Sequence, residues 1–156
     1  MTTVETQDEL LTWPNGAVVD VESIHGYAED ARRVAISPLD DGAIRTPDWV
    51  ISELQAVSEQ AARMVHVILK AEEFKRKAAT RLERARATAR RANADLVGAQ
   101  QSAAVVLATT AEKDAYDDAV TAFEYARRAG NLLKDYTGRV QSIGKQVELT
   151  YRNGSL

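Results

Sequence analysis

The chemistry open to this sequence lies mainly in its cations. In "KRKAATRLERARATARRANA", residues 75–94, eight Lys or Arg residues stand against one Glu. On a helix advancing 100° per residue, Lys70, Lys77, Arg81, Arg84 and Arg91 share one side. They form a row about 31 Å long at 1.5 Å per residue, opposite the apolar positions. Such a row can displace counterions from a phosphate backbone and give salt-sensitive binding with little base preference. It also fits the solvated outer face of a long helix, the blander of the two readings and the one that asks less of the sequence. Lys75, Arg86 and Arg90 lie nearer the apolar side, where long stems cover hydrophobic surface while the charges reach water. No aromatic ring interleaves with the cations of this stretch, as stacking on single-stranded bases would want.

Other reactive side chains are scattered. His25 and His66 are far apart in the chain and lack His or carboxylate company at ligand spacing, so no metal site is expected. Glu72-Glu73 and Asp117-Asp118 diverge by 100° on a helix and share no acid–base site, while Asp40-Asp41 falls in a loop. Ser102, Ser142 and Ser155 have no His beside them in sequence. No phosphate-binding loop, dinucleotide fingerprint, HExxH or nucleophile elbow occurs. The absence of cysteine excludes disulfides and thiol chemistry. The expectation is a non-enzyme with no catalytic residues, no cofactor, no metal and no small-molecule substrate.

The cations need a long helix to align them, and the flanking sequence supplies one. Thr46 can cap, Pro47 suits the first helical position and Asp48 favours the positive end of the helix dipole. From there to about Asn93 no Gly or Pro interrupts, a run of about 47 residues or about 70 Å. Its apolar residues step by three and four through Leu54, Val57, Ala61, Met64, Ile68, Ala71, Ala78, Leu82, Ala85 and Ala89, with one beat lost at Lys75. A turn is expected near residues 94–98, at Gly98. Ala99–Ala108 can begin a return helix, and Thr109 to Glu112 has the spacing of a capping box. A second long helix from about Ala111 to Tyr151 keeps 4,3 spacing through Ala119, Phe123, Ala126, Gly130, Leu133, Thr137, Val140, Gly144, Val147 and Tyr151.

Ahead of these helices, "LLTWPNGAVVDV" places two apolar runs around Pro14-Asn15-Gly16, which predicts a small β-hairpin. Leu10, Leu11, Trp13, Val18, Val19 and Val21 would pack it down. Residues 22–34 predict a short helix through Ile24, Tyr27, Ala31 and Val34. The fold class is therefore mainly all-α: a long antiparallel two-helix coiled-coil hairpin with a small N-terminal β-hairpin and short helix. Residues 1–46 form the N-terminal part and residues 47–156 the helical hairpin. The seam is expected at Leu54, Val57, Met64, Ile68, Leu82, Phe123, Leu133, Val140 and Val147. One buried stripe per helix is a small core, so self-association as a homo-oligomer is expected as well.

The net charge of −3 hides a polarity: residues 1–59 carry −9, residues 60–91 carry +7 and residues 92–156 carry −1. The polar, acidic start is unlike a signal peptide, and no apolar run approaches the length of a membrane span. A cytoplasmic protein without membrane contact is expected.

The stretch "DAYDDAVTAFEYARRAGNLLKDYTGRVQSIGKQVELTYR", with "FEYARR" and "LLKDYTGRVQSIG" inside it, follows "WPNGAVVDV" and the Arg/Ala/Glu-rich helix. In this order the pieces resemble small helical proteins of tailed phages, notably those infecting actinobacteria, often encoded beside recombination and replication genes. The resemblance would cover residues 9–152 and implies a phage protein acting in the host cytoplasm. It carries no catalytic residue over to this chain. Two readings of function stand side by side. One is a non-enzymatic accessory or assembly protein of phage DNA metabolism, oligomerising through the seam, with DNA-backbone contact through the basic row. The other is an adaptor or inhibitor that binds a host or phage protein without nucleic acid.

Overall fold

The computed structural model describes residues 10–39 and 41–154, and the chain is mainly helical. Its helices are α1 (Val21–Ala35), α2 (Pro47–Ala92), α3 (Ala99–Ala108) and α4 (Thr110–Asn153). Residues 1–8, Asp40 and Ser155, which the sequence reading touched, lie outside the described residues. Contacts divide the chain into two compact units: Met1–Ile24 with Leu69–Glu124, and His25–Ile68 with Tyr125–Leu156.

In the first unit the expected β-hairpin is a tight turn without strands among the described residues. Gly16 takes a left-handed φ of 84°, and its amide donates to the Trp13 carbonyl. The Trp13 amide donates to Ala17, the Val19 amide to Leu11, and a single antiparallel bridge joins Thr12 and Val18. Pro14 has no amide to donate, and the chain enters α1 directly after Asp20, which leaves no length for a ladder. Leu11, Trp13 and Val19 are buried, whereas Leu10 and Val18 are exposed. The turn is tied to α1 by Asp20 and Ser23. The Ser23 amide donates to Asp20 Oδ1 at 2.7 Å, and Trp13 Nε1 donates to Ser23 Oγ at 3.0 Å. Donation from Ser23 holds the Asp20 carboxyl below the usual Asp range.

The C-terminal part of α2 buries Ala71, Ala78, Leu82 and Ala89, and α4 buries Ala119 and Ala122. These segments run antiparallel, since Lys75 meets Phe123 while Arg81 shares a hollow with Glu112. After α2 the chain turns through Gly98 at φ 59°. Gln101 Nε2 donates to the Asn93 carbonyl at 3.1 Å, satisfying an acceptor beyond the end of α2. Residues 99–108 are a separate helix, and the expected capping box at its end does not form. Thr109, buried, instead donates its hydroxyl backwards to the Val105 carbonyl at 2.9 Å and closes α3.

In the second unit α1 contributes buried Ala28, Ala31 and Ala35, and α2 contributes Val50, Val57, Met64 and Val67. Thr46 caps α2 as expected, its Oγ1 accepting from the Trp49 amide at 3.2 Å. From α4 come Ala126, Ala129, Leu133, Tyr136 and Val140. Each buried Val or Leu is worth about 1.5–3 kcal/mol. The α2 and α4 segments are antiparallel and close: a Cβ built on Gly130 or Gly144 would lie 3.0 Å from Ile68 Cδ1 or Val50 Cγ1. Tyr136 is fully buried and donates to Glu53 Oε1 at 2.6 Å. Burial, and then that hydrogen bond, push its phenol up to about 12.

Of the expected seam, Val57, Met64, Leu82, Leu133 and Val140 are buried within one chain, and Leu54, Ile68, Phe123 and Val147 are half-buried. On α4 the buried stripe is rotated. Ala122, Ala129 and Tyr136 are buried where Phe123, Gly130 and Thr137 were expected, and those three are half-buried. The cause is a second neighbour. Besides α2, α4 meets α1, through Tyr125 donating to Glu29 and Arg139 Nη2 donating to the Ala35 carbonyl. A helix with two partners centres its buried arc between them.

Candidate nucleic-acid interface

The row of cations lies on the part of α2 that belongs to the first unit, a segment of good helix formers that runs unbroken to Ala92. The structure sorts the five residues of the row into two kinds. Lys70 is half-buried and pairs with Glu73, one turn on, at 3.6 Å. Lys77 is also half-buried. It lines a hollow of about 260 Å³ together with Leu11, Val19, Asp20, Phe74 and Glu112. Asp20 and Glu112 line the same hollow, and the Asp20 carboxyl is held low by donation from the Ser23 amide. Arg81 reaches the edge of this hollow but is exposed, and Arg84 and Arg91 are exposed further along α2.

The three cations assigned to the apolar side behave differently from one another. The Lys75 ammonium sits over the Phe123 ring, 3.8 Å from its centroid, a cation–π contact between α2 and α4. Arg86 pairs with Glu83 at 2.7 Å, while Arg90 is exposed. Arg76, which falls between the two groups on the wheel, is exposed as well. The outward positive face is thus Arg81, Arg84 and Arg91, with Arg76 and Arg90 beside it. On α4, Glu112 shares the hollow and Asp117 is taken by Lys113, one turn earlier.

The remaining candidates serve the fold. His25 stacks on Tyr125 with ring centroids 4.8 Å apart and planes at 17°. Tyr125 donates to Glu29, which also pairs with Arg32 at 3.1 Å. The Tyr125 hydrogen bond, before the Arg32 charge, holds the Glu29 carboxyl low; the same bond pushes the Tyr125 phenol up. His66 is exposed. The Ser102 and Ser142 hydroxyls donate to carbonyls one turn back, Gly98 and Gly138, at 3.2 and 3.0 Å. Arg45 stacks on Trp49, 4.3 Å from the ring centroid, and pairs with Asp41 at 2.7 Å, which pins the loop before α2. Among the described residues no group of three or more His, Asp or Glu side chains gathers at metal-binding distance. No described helix is long and apolar enough to cross a membrane.

Comparison of the chain with family models, with curated proteins and with solved structures returned no match.

Proposed function

We propose that this chain is a non-enzymatic accessory protein whose α2 and α4 pack as an antiparallel coiled-coil pair in each unit. In this reading the pair holds a basic face against the backbone of a nucleic acid. The observation that supports it is the sorting of the cations. Lys75 lies over the Phe123 ring between α2 and α4, and Arg81, Arg84 and Arg91 are solvent-exposed on an unbroken helix. A fixed row of guanidinium groups contacts phosphates without reading bases. The resemblance to tailed-phage proteins would make DNA in the host cytoplasm the polyanion. Val57, Met64, Leu82, Leu133 and Val140 of the expected seam are buried within one chain, so in this reading copies would assemble through its half-buried members Leu54, Ile68, Phe123 and Val147.

Titration of labelled single- and double-stranded DNA at about 50 and about 200 mM salt tests this reading. Binding that weakens steeply with salt and differs little among sequences is the expected result. Absence of binding at the lower salt would refute it and leave the adaptor reading.

A further inference from the structure

One flank of the α2–α4 pair in the second unit is open. Two hollows lie on it. The first, about 550 Å³, is bordered by Met64, Val65 and Ile68 of α2 and by Gly130, Thr137 and Gly138 of α4. The second, about 390 Å³, is bordered by Val50 and Ile51 and by Gly144, Val147 and Tyr151. Val65 and Ile51 are separated by 14 residues, and so are Gly130 and Gly144. Two heptads return each pair to within about 40° of the same helix face, about 21 Å along the axis. The hollows are therefore successive holes of one groove, with large apolar side chains on the α2 lip and glycines in the floor. Ile51 and Val65 are 56% and 58% exposed, large apolar side chains left to water.

The lips carry different charge. Lys134 borders the first hollow, and Lys145, three turns on, lies within about 20° of it on the wheel. Among the described residues neither has an ion-pair partner. Arg152 and Glu148 both border the second hollow and pair with each other at 3.8 Å, which leaves the two lysines as the uncompensated charge of this lip. The facing lip of α2 offers Gln55, Ser58 and Ala62, all uncharged.

We propose that this groove docks an amphipathic helix from a partner protein, about 20 residues long, with carboxylates along the edge that lies against α4. Apolar side chains at two-heptad spacing fill the hollows, as in helix-in-groove recognition. The carboxylates meet Lys134 and Lys145, which the chain itself leaves uncompensated. A second copy fits worse where its two-fold axis falls midway between the two lysines. Antiparallel two-fold pairing about Gly138–Gln141 sets Lys134 of one copy against Lys145 of the other, and like charges at a contact oppose association. The inference does not depend on nucleic-acid binding, because the groove and the basic face of α2 lie in different units.

The test uses the full chain and two labelled helical peptides of about 21 residues with the same Leu stripe. One peptide carries Glu along one edge of the stripe and the other carries Lys. By fluorescence anisotropy the Glu peptide binds at least about tenfold tighter than the Lys peptide. Gly138→Leu adds a side chain at the border of the first hollow, where a Cβ meets nothing within 4 Å. It weakens Glu-peptide binding by about tenfold or more while the melting temperature holds or rises. The double substitution Lys134→Glu and Lys145→Glu reverses the preference between the peptides. Failure of both peptides to bind, or equal binding unmoved by Gly138→Leu, overturns the proposal. A dimer in light scattering that Gly138→Leu splits overturns it in favour of a second copy.

Discussion

Three glycines in α4 should respond differently to alanine, and the difference follows from what each faces. In a helix interior Gly→Ala gains about 1 kcal/mol from backbone entropy. At Gly138 the new methyl meets nothing within 4 Å, so the whole gain is realised. For a chain of this size that raises the melting temperature by about 2–4 °C. At Gly144 the methyl would stand 3.0 Å from Val50 Cγ1. Val50 is buried and β-branched, so its side chain has little rotamer freedom with which to yield. Overpacking of this kind costs about 1–3 kcal/mol, which cancels or outweighs the gain. Gly130 falls between them. Its methyl would meet the far end of Ile68, also at 3.0 Å, but that side chain is half-buried and can turn aside. Urea unfolding of the three single variants gives the order Gly138→Ala most stable, Gly130→Ala near the parent and Gly144→Ala least stable, at unchanged m value. If Gly144→Ala stabilised as much as Gly138→Ala, the close approach of α2 and α4 at Val50 would be wrong.

Tyr136→Phe removes a hydrogen bond to the Glu53 carboxylate, and urea unfolding should show a loss of about 1.5–3 kcal/mol. The phenol of Tyr136 rises to about 12 in the folded chain from its ordinary value of 10.0. The stability from this raised group is therefore complete below pH 10 and is lost as pH rises toward 12. Ultraviolet titration of phenolate should show this ring ionising late in the folded chain and at its ordinary value in denaturant. Asp20→Ala removes the cap of α1 and costs about 1 kcal/mol near neutral pH. The Asp20 carboxyl is lowered in the fold, so this contribution is present above the usual Asp range and lost as pH falls through the folded value. The gap in melting temperature between parent and variant should close in acid.

Much of the helical framework was legible because its signals are local. Thr46-Pro47-Asp48 starts α2 where the cap predicts, and Gly98 turns the chain where the apolar pattern weakens. What escaped depended on neighbours that spacing cannot reveal. Along α4, Ala122/Phe123, Ala129/Gly130 and Tyr136/Thr137 offer two stripes of equal regularity, and α1 selects the first of each pair. Asp20-Val21-Glu22-Ser23 carries a reciprocal cap whose Asp-x-x-Ser signal straddled the boundary between the expected hairpin and the expected helix. Among the cations the wheel separated Lys75 and Arg86 from Arg81, Arg84 and Arg91. It could not show that Lys70 has Glu73 as a partner or that Lys77 lies beside Asp20 and Glu112.

The claim that Arg81, Arg84 and Arg91 contact a nucleic-acid backbone is tested most directly by the salt slope of binding. Each phosphate contact on duplex DNA adds about 0.9 to the slope of log affinity against log salt. Replacing the three arginines by Ala should lower that slope by about 2.7, so that between about 50 and 200 mM salt the parent loses roughly 40-fold more affinity than the variant. Lys75→Met, which removes a cation held over the Phe123 ring and away from the exposed row, should leave the slope as it was. A triple variant with the parent's slope would contradict the account.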